Sequence, residues 1–522
     1  MRADRYDVVV VGGGHNALVA AAYLARAGKS VLVLERLDHV GGAAVSTEAF
    51  PGVPVRLSRY SYLVSLLPDQ IVADLGLRLE LRSRSVSSYS PTSRDGQDTG
   101  LLVERAPGET TAASFRALTG SDTEYRQWQE WYGALATFAE VLAPTLLQPL
   151  PGKAELRAAV VAATDERLWR DVVEQPLGRS IRERFADDLV RGVVATDGLI
   201  GTHTGLDDPS LAANRCFVYH VIGNGTGEWR VPVGGMGAVT AELERAARSA
   251  GAELVTGASV TRVDADGRTG EIAYTADGVE RTVGARFVLS GVAPSVLGTL
   301  RGRSAEPAGP GAQLKMNLVL TRLPRLRSGV DPRLAFAGTF HLDESYAELE
   351  TAYRDSATGQ VPEPLPGEMY CHTLTDPSIL APELAAAGWH TLTLFGLHLP
   401  AGLFAGRNEQ LREQLTKGYL AGLNRYLAEP IESCIATNRD GEPCVEARTP
   451  IDLEDALSLP AGNIFHGGLD WPFQEDEAAD DPWGVATDTA NLLLCGSGAR
   501  RGGGVSGIGG QNSAMAVLGR SA

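Results

Sequence analysis

The hydrophobic pattern of the first 35 residues changes from a continuous apolar run to helical spacing and back again. Residues 7–11 are an aspartate followed by four valines, as expected for a strand buried on both faces of a sheet. Apolar residues then recur at three- and four-residue intervals over 17–25, and Gly28 ends this predicted helix. A second apolar run, 30–34, closes with Glu35. The pattern predicts a βαβ unit of about 30 residues.

Helical spacing dominates the next part of the chain, and a return to alternating strands and helices follows it. Residues 86–224 are expected to form a mostly α-helical insertion. Within it, helices are predicted in 115–147, 154–173 and 181–194. Later helices are predicted at 236–247, 408–427 and 512–518, and strands at 253–263, 271–275, 287–290, 312–320 and 391–399. Because no long linker separates these segments, we expect domains between which the chain crosses several times.

Glycines occupy the turn between the first predicted strand and helix. In the motif Gly12-x-Gly14-x-x-Ala17, the first glycine permits a tight turn and the second lets phosphates approach the backbone. The small third residue lets the helix pack on the strand, and the helix N-terminus offers free N–H groups. Glu35, about 20 residues later, stands where a carboxylate accepts hydrogen bonds from a ribose. These residues predict a dinucleotide site.

The segment after Glu35 indicates which dinucleotide binds. The sequence Glu35-Arg36, followed after four residues by Gly41-Gly42-Ala43, resembles the second signature of glutathione-reductase-type FAD proteins. The motif at 232–237, the segment 258–263 and the glycine-rich block 494–507 resemble the phytoene-desaturase and amine-oxidase superfamily. Within that superfamily, the glycine-rich block is most similar to the branch named pyridine nucleotide-disulfide oxidoreductase domain-containing protein 2.

This resemblance implies an α/β fold in which a Rossmann-type, glutathione-reductase-like FAD-binding domain is interleaved with a substrate domain of mixed β-sheet and helices. The FAD-binding domain is expected at 1–85, 225–305 and 450–522, and the substrate domain at 86–224 and 306–449. The implied cofactor-binding residues are Gly12, Gly14, Asn16, Ala17, Glu35, Arg36, Gly41, Gly42, Ala43, Val260, Gly496, Gly503, Gly504, Val505 and Ser506.

The resemblance also implies an orientation for the cofactor. The backbone at Val260 is expected to meet the adenine, and the helix that begins near Val505 is expected to point its N-terminus at the flavin pyrimidine, where reduction builds negative charge. Relatives usually have His-Pro before the glycine run, whereas this chain has Arg500 and Arg501. The two arginines are expected either to bind an acidic substrate or, as the favoured alternative, to face solvent. No second dinucleotide motif is apparent, so an NADPH domain is not predicted.

Lys315 is the candidate catalytic residue. Its position before an apolar strand resembles that of the amine-oxidase lysine beside flavin N5, where a desolvated lysine tunes the reaction with oxygen. The alternative is a lysine at a strand edge that reaches solvent. The histidines show no metal-ligand spacing, so no metal site is predicted and none of them is assigned as the base. Trp128, Trp131 and Tyr132 are expected to be core residues or to line an apolar tunnel.

Composition narrows the range of partners. The formal net charge of −17 argues against nucleic acid. The five cysteines lack paired spacing, which is typical of a reducing compartment, and the absence of a signal peptide pattern predicts a cytoplasmic protein. No apolar run is long enough to span a membrane. Contact with a membrane surface is an alternative that the sequence does not decide.

The resemblance and the motifs together predict an FAD-dependent oxidoreductase. It is expected to take hydride from a hydrophobic small molecule, with polyenes as one candidate class, and to pass electrons to oxygen or a quinone. An amine oxidase-type enzyme and a non-catalytic FAD-binding regulatory or interaction protein are the alternatives.

Overall fold

In this computed structural model, the described residues are 4–304, 309, 311–475 and 481–521. The predicted domain boundary between 305 and 306 lies outside them, as do residues 1–3 and 522. The strands are β1 Arg5–Val11, β2 Val31–Leu34, β3 Ser46–Glu48, β4 Arg56–Ser58, β5 Leu81–Arg82, β6 Val86–Arg94, β7 Gln97–Glu104, β8 Val231–Pro232, β9 Glu253–Val255, β10 Ala258–Ala265, β11 Gly270–Ala276, β12 Val279–Ser290, β13 Leu314–Leu320, β14 Thr339–Leu342, β15 Gly367–Tyr370, β16 His390–Gly396, β17 Val445–Arg448 and β18 Leu492–Leu494. The helices are α1 His15–Arg26, α2 Asp69–Leu75, α3 Glu109–Thr119, α4 Thr123–Leu142, α5 Lys153–Ala163, α6 Glu166–Trp169, α7 Leu177–Arg184, α8 Asp188–Ala195, α9 Ala212–Ile222, α10 Met236–Ser249, α11 Pro294–Leu300, α12 Pro332–Ala335, α13 Tyr346–Ala357, α14 Pro382–Ala386, α15 Asn408–Asn424, α16 Pro450–Leu457 and α17 Ile508–Ser521.

The first sheet has a parallel centre and an antiparallel extension. Its order is β10–β11–β12–β1–β2–β9, and β18 pairs with the end of β12. The strands β12, β1, β2 and β9 run parallel, whereas β10, β11 and the start of β12 form an antiparallel ladder. Helix α1 packs against α10 and α17. This arrangement confirms the predicted Rossmann-type α/β fold.

The valines of β1 explain why this strand is central. Val8 and Val10 belong to the core cluster that includes α1, whereas Val9 and Val11 belong to the cluster with the antiparallel extension. Side chains alternate between the two faces of a strand, so an uninterrupted run of valines places apolar side chains in both core clusters.

The second sheet is mixed, as predicted. Its order is β17–β13–β16–β15–β14–β6–β7, in which β14 and β6 run parallel and the other neighbours antiparallel. Met316 and Leu318 of β13 pack in a core cluster with Leu411 and Leu415 of α15. Lys315 alternates with them and therefore lies on the opposite face.

The segment 86–224, predicted to be mostly helical, begins with a β-hairpin that the sequence pattern did not indicate. Strands β6 and β7 pair through a turn at Asp95 and Gly96, whose φ angles are 53° and 75°. An Asp-Gly pair is a strong hairpin signal, but the flanking polar residues hide the alternation. Helices α3 to α9 follow, and the pattern over 115–147 resolves into the end of α3 and the whole of α4.

Other predicted elements differ from the observed helices and strands in where they begin, end or divide. The pattern at 253–263 contains two strands, β9 and β10, separated by a turn at Gly257 with a φ of 64°. The helix predicted to begin near Val505 begins at Ile508. Among the described residues, no helix combines the length and the apolar character needed to cross a membrane.

Candidate functional site

A cavity of about 810 Å³ extends from the glycine turn of the first sheet to the second sheet and to helices α4, α8 and α9. Fourteen predicted site residues line it: Gly12, Gly14, Asn16, Ala17, Glu35, Arg36, Gly42, Ala43, Val260, Lys315, Gly496, Gly503, Gly504 and Val505. Its size is at the upper end of the range of small-molecule sites, about 300–1,000 Å³. The fold therefore brings residues from the two ends and the middle of the chain to one cavity.

Two predicted residues, Gly41 and Ser506, are not among the residues that line the cavity. The N–H of Gly41 donates to the carbonyl of Gly13, and a side chain at Gly41 would collide with Thr240 of α10. The hydroxyl of Ser506 accepts a hydrogen bond from the N–H of Ile508 at 3.3 Å. The contacts of both residues support the backbone around the cavity.

Glycine is accommodated at positions 12 and 14 of the turn for different structural reasons. Gly12 has a φ of 87°, which favours glycine, and its N–H donates to the carbonyl of Leu34. Gly14 has a φ of −65° and a ψ of 167°, which any residue adopts, and a Cβ atom there would meet no protein atom within 4 Å. The chain itself therefore does not require glycine at position 14. The open space beside it fits a phosphate that approaches the backbone at the N-terminus of α1.

Glu35 borders this space and organises the turn. Its Oε2 accepts a hydrogen bond from the N–H of Gly13 at 2.7 Å, and its Oε1 accepts one from the N–H of Leu37 at 2.8 Å. The carbonyl of Glu35 accepts from the N–H of Ala258, which places the start of β10, and with it Val260, at the same end of the cavity. Neighbouring Arg36 is exposed, and its guanidinium donates to the carbonyl of Ala456 at 2.9 Å.

Two side chains at the start of α1 connect the glycine turn with the C-terminal glycine block. His15 Nε2 lies 3.0 Å from the carbonyl of Gly504, and Asn16 Nδ2 donates to the carbonyl of Gly502 at 3.0 Å. Burial lowers the pKa of His15 to about 4, so the neutral ring donates its Nε2–H to Gly504. These contacts bring Gly503 to Val505 to the cavity. Sequence analysis missed His15 because a histidine that bridges two distant segments leaves no local pattern.

Arg500 and Arg501 both donate to backbone carbonyls, and Arg501 matches neither predicted alternative. Arg501 is 1% exposed and donates to three backbone carbonyls, those of Thr145, Gln148 and Trp483. Arg500 donates to the carbonyl of Phe473 at 2.7 Å. Neither arginine is among the residues that line the cavity. The expectation that Arg501 faces solvent or binds an acidic substrate is therefore corrected, whereas Arg500 stays half-buried; both connect loops by hydrogen bonds to backbone carbonyls.

Lys315 is buried at the cavity wall, with 2% exposure, and does not reach solvent. Its Nζ donates to Oδ1 of Asn317 at 2.7 Å and lies 4.7 Å from the ring centre of Tyr62. Burial lowers the pKa of Lys315 to about 7, although the negative charge of Glu446 acts in the opposite direction. The amine therefore changes its charge near neutral pH, at the wall of the cavity.

Acidic and phenolic side chains, which sequence analysis missed, line the wall near Lys315. Tyr370 donates its hydroxyl hydrogen to Oε2 of Glu368 at 2.5 Å. Burial and the neighbouring Glu344 raise the pKa of Glu368 to about 8, and burial also raises the pKa of Asp197. Glu368 lies on a strand of only four residues, too short for alternation to reveal its inward orientation.

The rest of the wall is largely apolar. It includes Trp128, Tyr132, Leu135, Ile200, Phe395 and Leu469. Trp131 instead belongs to the helical core, where its ring stacks on Phe217 with a centroid distance of 6.2 Å. Of the three aromatic residues considered from the sequence, Trp128 and Tyr132 line the cavity while also packing in or against this core, and Trp131 is core alone. The cavity thus combines a dinucleotide-type cradle, an apolar chamber and a polar inner wall.

Comparisons with known proteins agree with this geometry. A family model described as an NAD(P)-binding Rossmann-like domain matches residues 10–69. An uncharacterized protein of Mycobacterium tuberculosis is 51% identical over 98% of this chain and 97% of its own length. Pyridine nucleotide-disulfide oxidoreductase domain-containing protein 2 of Mus musculus is 32% identical over 98% of this chain and 93% of its own. The solved structure of a putrescine oxidase variant has a TM-score of 0.60 at 18% identity and covers 99% of both chains, which indicates a common fold.

Proposed function

This chain belongs to the family of pyridine nucleotide-disulfide oxidoreductase domain-containing protein 2, within the FAD-dependent oxidoreductase and amine oxidase superfamily, and on that premise we propose that it oxidises a small organic molecule with bound FAD. The observation that carries the proposal is the open space beside Gly14. A Cβ atom there would meet nothing within 4 Å, although the surrounding turn is otherwise closely packed. Glu35 at its border supplies the carboxylate for a ribose.

The lining residues suggest the path of the cofactor. Val260 would contact the adenine, and Gly503 to Val505 would contact the flavin ring, one turn before α17 begins. Bound FAD would supply a hydride acceptor for a C–H bond of the substrate. The protein would hold the substrate beside the ring and keep water away through the apolar wall.

The apolar chamber favours a hydrophobic substrate, with polyenes as one candidate class. We propose oxygen or a quinone as the electron acceptor. Apolar side chains such as Trp128, Leu135 and Phe395 would surround this substrate and exclude water from it. A second candidate is an amine, because Asp197 and Glu368 line the inner wall and an ammonium group bound beside them would favour their ionised forms over the neutral forms that burial favours.

Anaerobic titration tests the proposal against a non-catalytic, FAD-binding role. The protein is loaded with FAD and mixed with a panel of polyenes, alcohols and amines, and the visible flavin absorbance is followed. We expect at least one compound class to bleach the flavin in a saturable way and to be recovered as a product lacking two hydrogens. FAD binding without reduction by any class would indicate a regulatory or interaction protein.

Lys315→Met is expected to slow the oxidation of the reduced, FAD-loaded protein at least ~10-fold, which corresponds to about 1.4 kcal/mol of barrier. The lost group is a buried positive charge that would favour electron transfer to oxygen or a soluble quinone. Because the pKa of Lys315 is about 7, the wild-type rate should fall as the pH rises from about 6 to about 8, whereas the variant rate should stay flat. Stopped-flow absorbance measures both rates.

The control is Lys417→Met, which removes an exposed lysine of α15 and should leave the rate and its pH dependence unchanged. A Lys315→Met protein with the wild-type rate at every pH would assign this lysine a packing role only.

A further inference from the structure

A histidine and two glutamates meet at the cavity wall formed by the second sheet. His341 of β14 lies directly opposite Glu368 of β15 in the antiparallel register, so their side chains share one face of the sheet. Glu344 follows shortly after β14, beyond Asp343, whose φ of 53° turns the chain. The fold thus assembles the three side chains from two strands and one turn.

The three side chains have the separations of a metal-ligand set. One ligand atom from each lies within 4.8 Å of the other two. Nδ1 of His341 is 2.6 Å from Oε2 of Glu344. The residues are 5%, 2% and 4% exposed for His341, Glu344 and Glu368. Side-chain shifts of an ångström or two would bring all three to the ~2.0–2.2 Å bonds of a transition-metal ion.

The carboxylate of Glu344 is only partly satisfied. Its Oε2 accepts a hydrogen bond from the hydroxyl of Thr196 at 2.8 Å, but its buried Oε1 has no hydrogen-bond partner among the described residues. A buried carboxylate oxygen without a partner costs free energy that a cation would recover. Asp197, Glu344 and Glu368 also place three carboxyl groups in one region, where Arg84 and, when it is protonated, His341 supply positive charge.

We propose that His341, Glu344 and Glu368 form a binding site for a divalent first-row transition-metal ion at the inner wall of the cavity. One imidazole nitrogen and two carboxylate groups suit Mn²⁺, Fe²⁺ or Zn²⁺. His341 and Glu368 line the cavity, so the free coordination positions of the ion would face the chamber. The ion would take the place of the proton between His341 and Glu344. If the proposed function also holds, those positions would accept an oxygen or nitrogen atom of the substrate.

Direct titration with Mn²⁺ tests the site without any activity measurement. The full-length protein is treated with a chelator, exchanged into metal-free buffer and titrated while electron paramagnetic resonance reports free Mn²⁺. We expect one Mn²⁺ to bind per chain and Zn²⁺ to displace it. His341→Gln and Glu344→Gln should each weaken binding more than ~100-fold, because loss of an outer-sphere partner alone costs ~10–100-fold.

The matched control is His372→Gln. His372 also pairs with a buried carboxylate, since its Nε2 lies 3.2 Å from Oδ2 of Asp376, but the pair is not part of the three-ligand cluster. This variant should bind Mn²⁺ as the wild type does. Circular dichroism verifies that each variant is folded.

Failure of wild-type protein to bind Mn²⁺ or Zn²⁺ would overturn the proposal, as would equal binding by wild type and the folded cluster variants. The cluster would then be an internal ion pair between His341 and its glutamates. If the variants do not fold, the wild type still decides: saturating Mn²⁺ should raise its Tm, EDTA should reverse the shift, and an unchanged Tm would count against the site. Metal binding by a protein that does not retain FAD would separate this inference from the proposed function.

Discussion

The Gly14→Asp variant is expected to fold normally but to lose its FAD. Position 14 is the N-cap of α1, has a φ of −65°, and leaves room for a Cβ atom. Aspartate is a preferred N-cap residue and glycine is only slightly worse, so the stability of the cofactor-free protein should be unchanged or higher by roughly a few tenths of a kcal/mol. The same carboxylate would occupy the space proposed for the pyrophosphate. At an effective dielectric constant of about 20, like charges about 4 Å apart repel by about 4 kcal/mol, or roughly 1,000-fold in affinity.

Flavin absorbance per mole of purified protein, and titration of the cofactor-free protein with FAD, measure this effect. Gly133→Asp is the control, because Gly133 is an exposed glycine of α4 whose Cβ would also meet nothing within 4 Å. It should retain FAD. A folded Gly14→Asp protein with a full complement of FAD would show that the phosphates do not approach this turn.

The Arg501→Met variant is expected to lose about 3–5 kcal/mol of stability. The guanidinium of Arg501 donates to the carbonyls of Thr145 and Gln148 at 2.8 Å and of Trp483 at 3.1 Å. Hydrogen bonds from a charged group contribute about 1.5–3 kcal/mol each, and their loss leaves buried carbonyls without partners. The variant also no longer has to desolvate a buried charge, which offsets part of the summed loss. The thioether fills part of the space but donates no hydrogen bond.

Urea unfolding of the cofactor-free protein measures the loss. Arg500→Met serves as the comparison, because Arg500 is less buried and donates one hydrogen bond, to Phe473, so its loss should cost about 1–2 kcal/mol. A change below about 1 kcal/mol in Arg501→Met would mean that the three carbonyls find other partners.

The cofactor end of the site was largely predictable because its determinants are local. Gly12, Gly14 and Glu35 belong to one βαβ unit, whose apolar runs and glycine spacing are visible in sequence. The ends of elements were less predictable, since they depend on turns such as the one at Gly257 within the 253–263 pattern. The hairpin of β6 and β7 escaped prediction because β6 is rich in serine and threonine and pairs with β14, which is distant in sequence.

By itself, the sequence determined the first βαβ unit, the glycine turn and the family to which the chain belongs, since each depends on short-range periodicity or on motifs. Only the tertiary structure decided that Lys315 is buried, that Arg501 donates to carbonyls more than 300 positions away, and that His341 faces Glu368. The environment of a polar side chain is set by whichever remote segments pack around it. Sheet register and loop closure establish that packing, and neither can be predicted from the spacing of neighbouring residues.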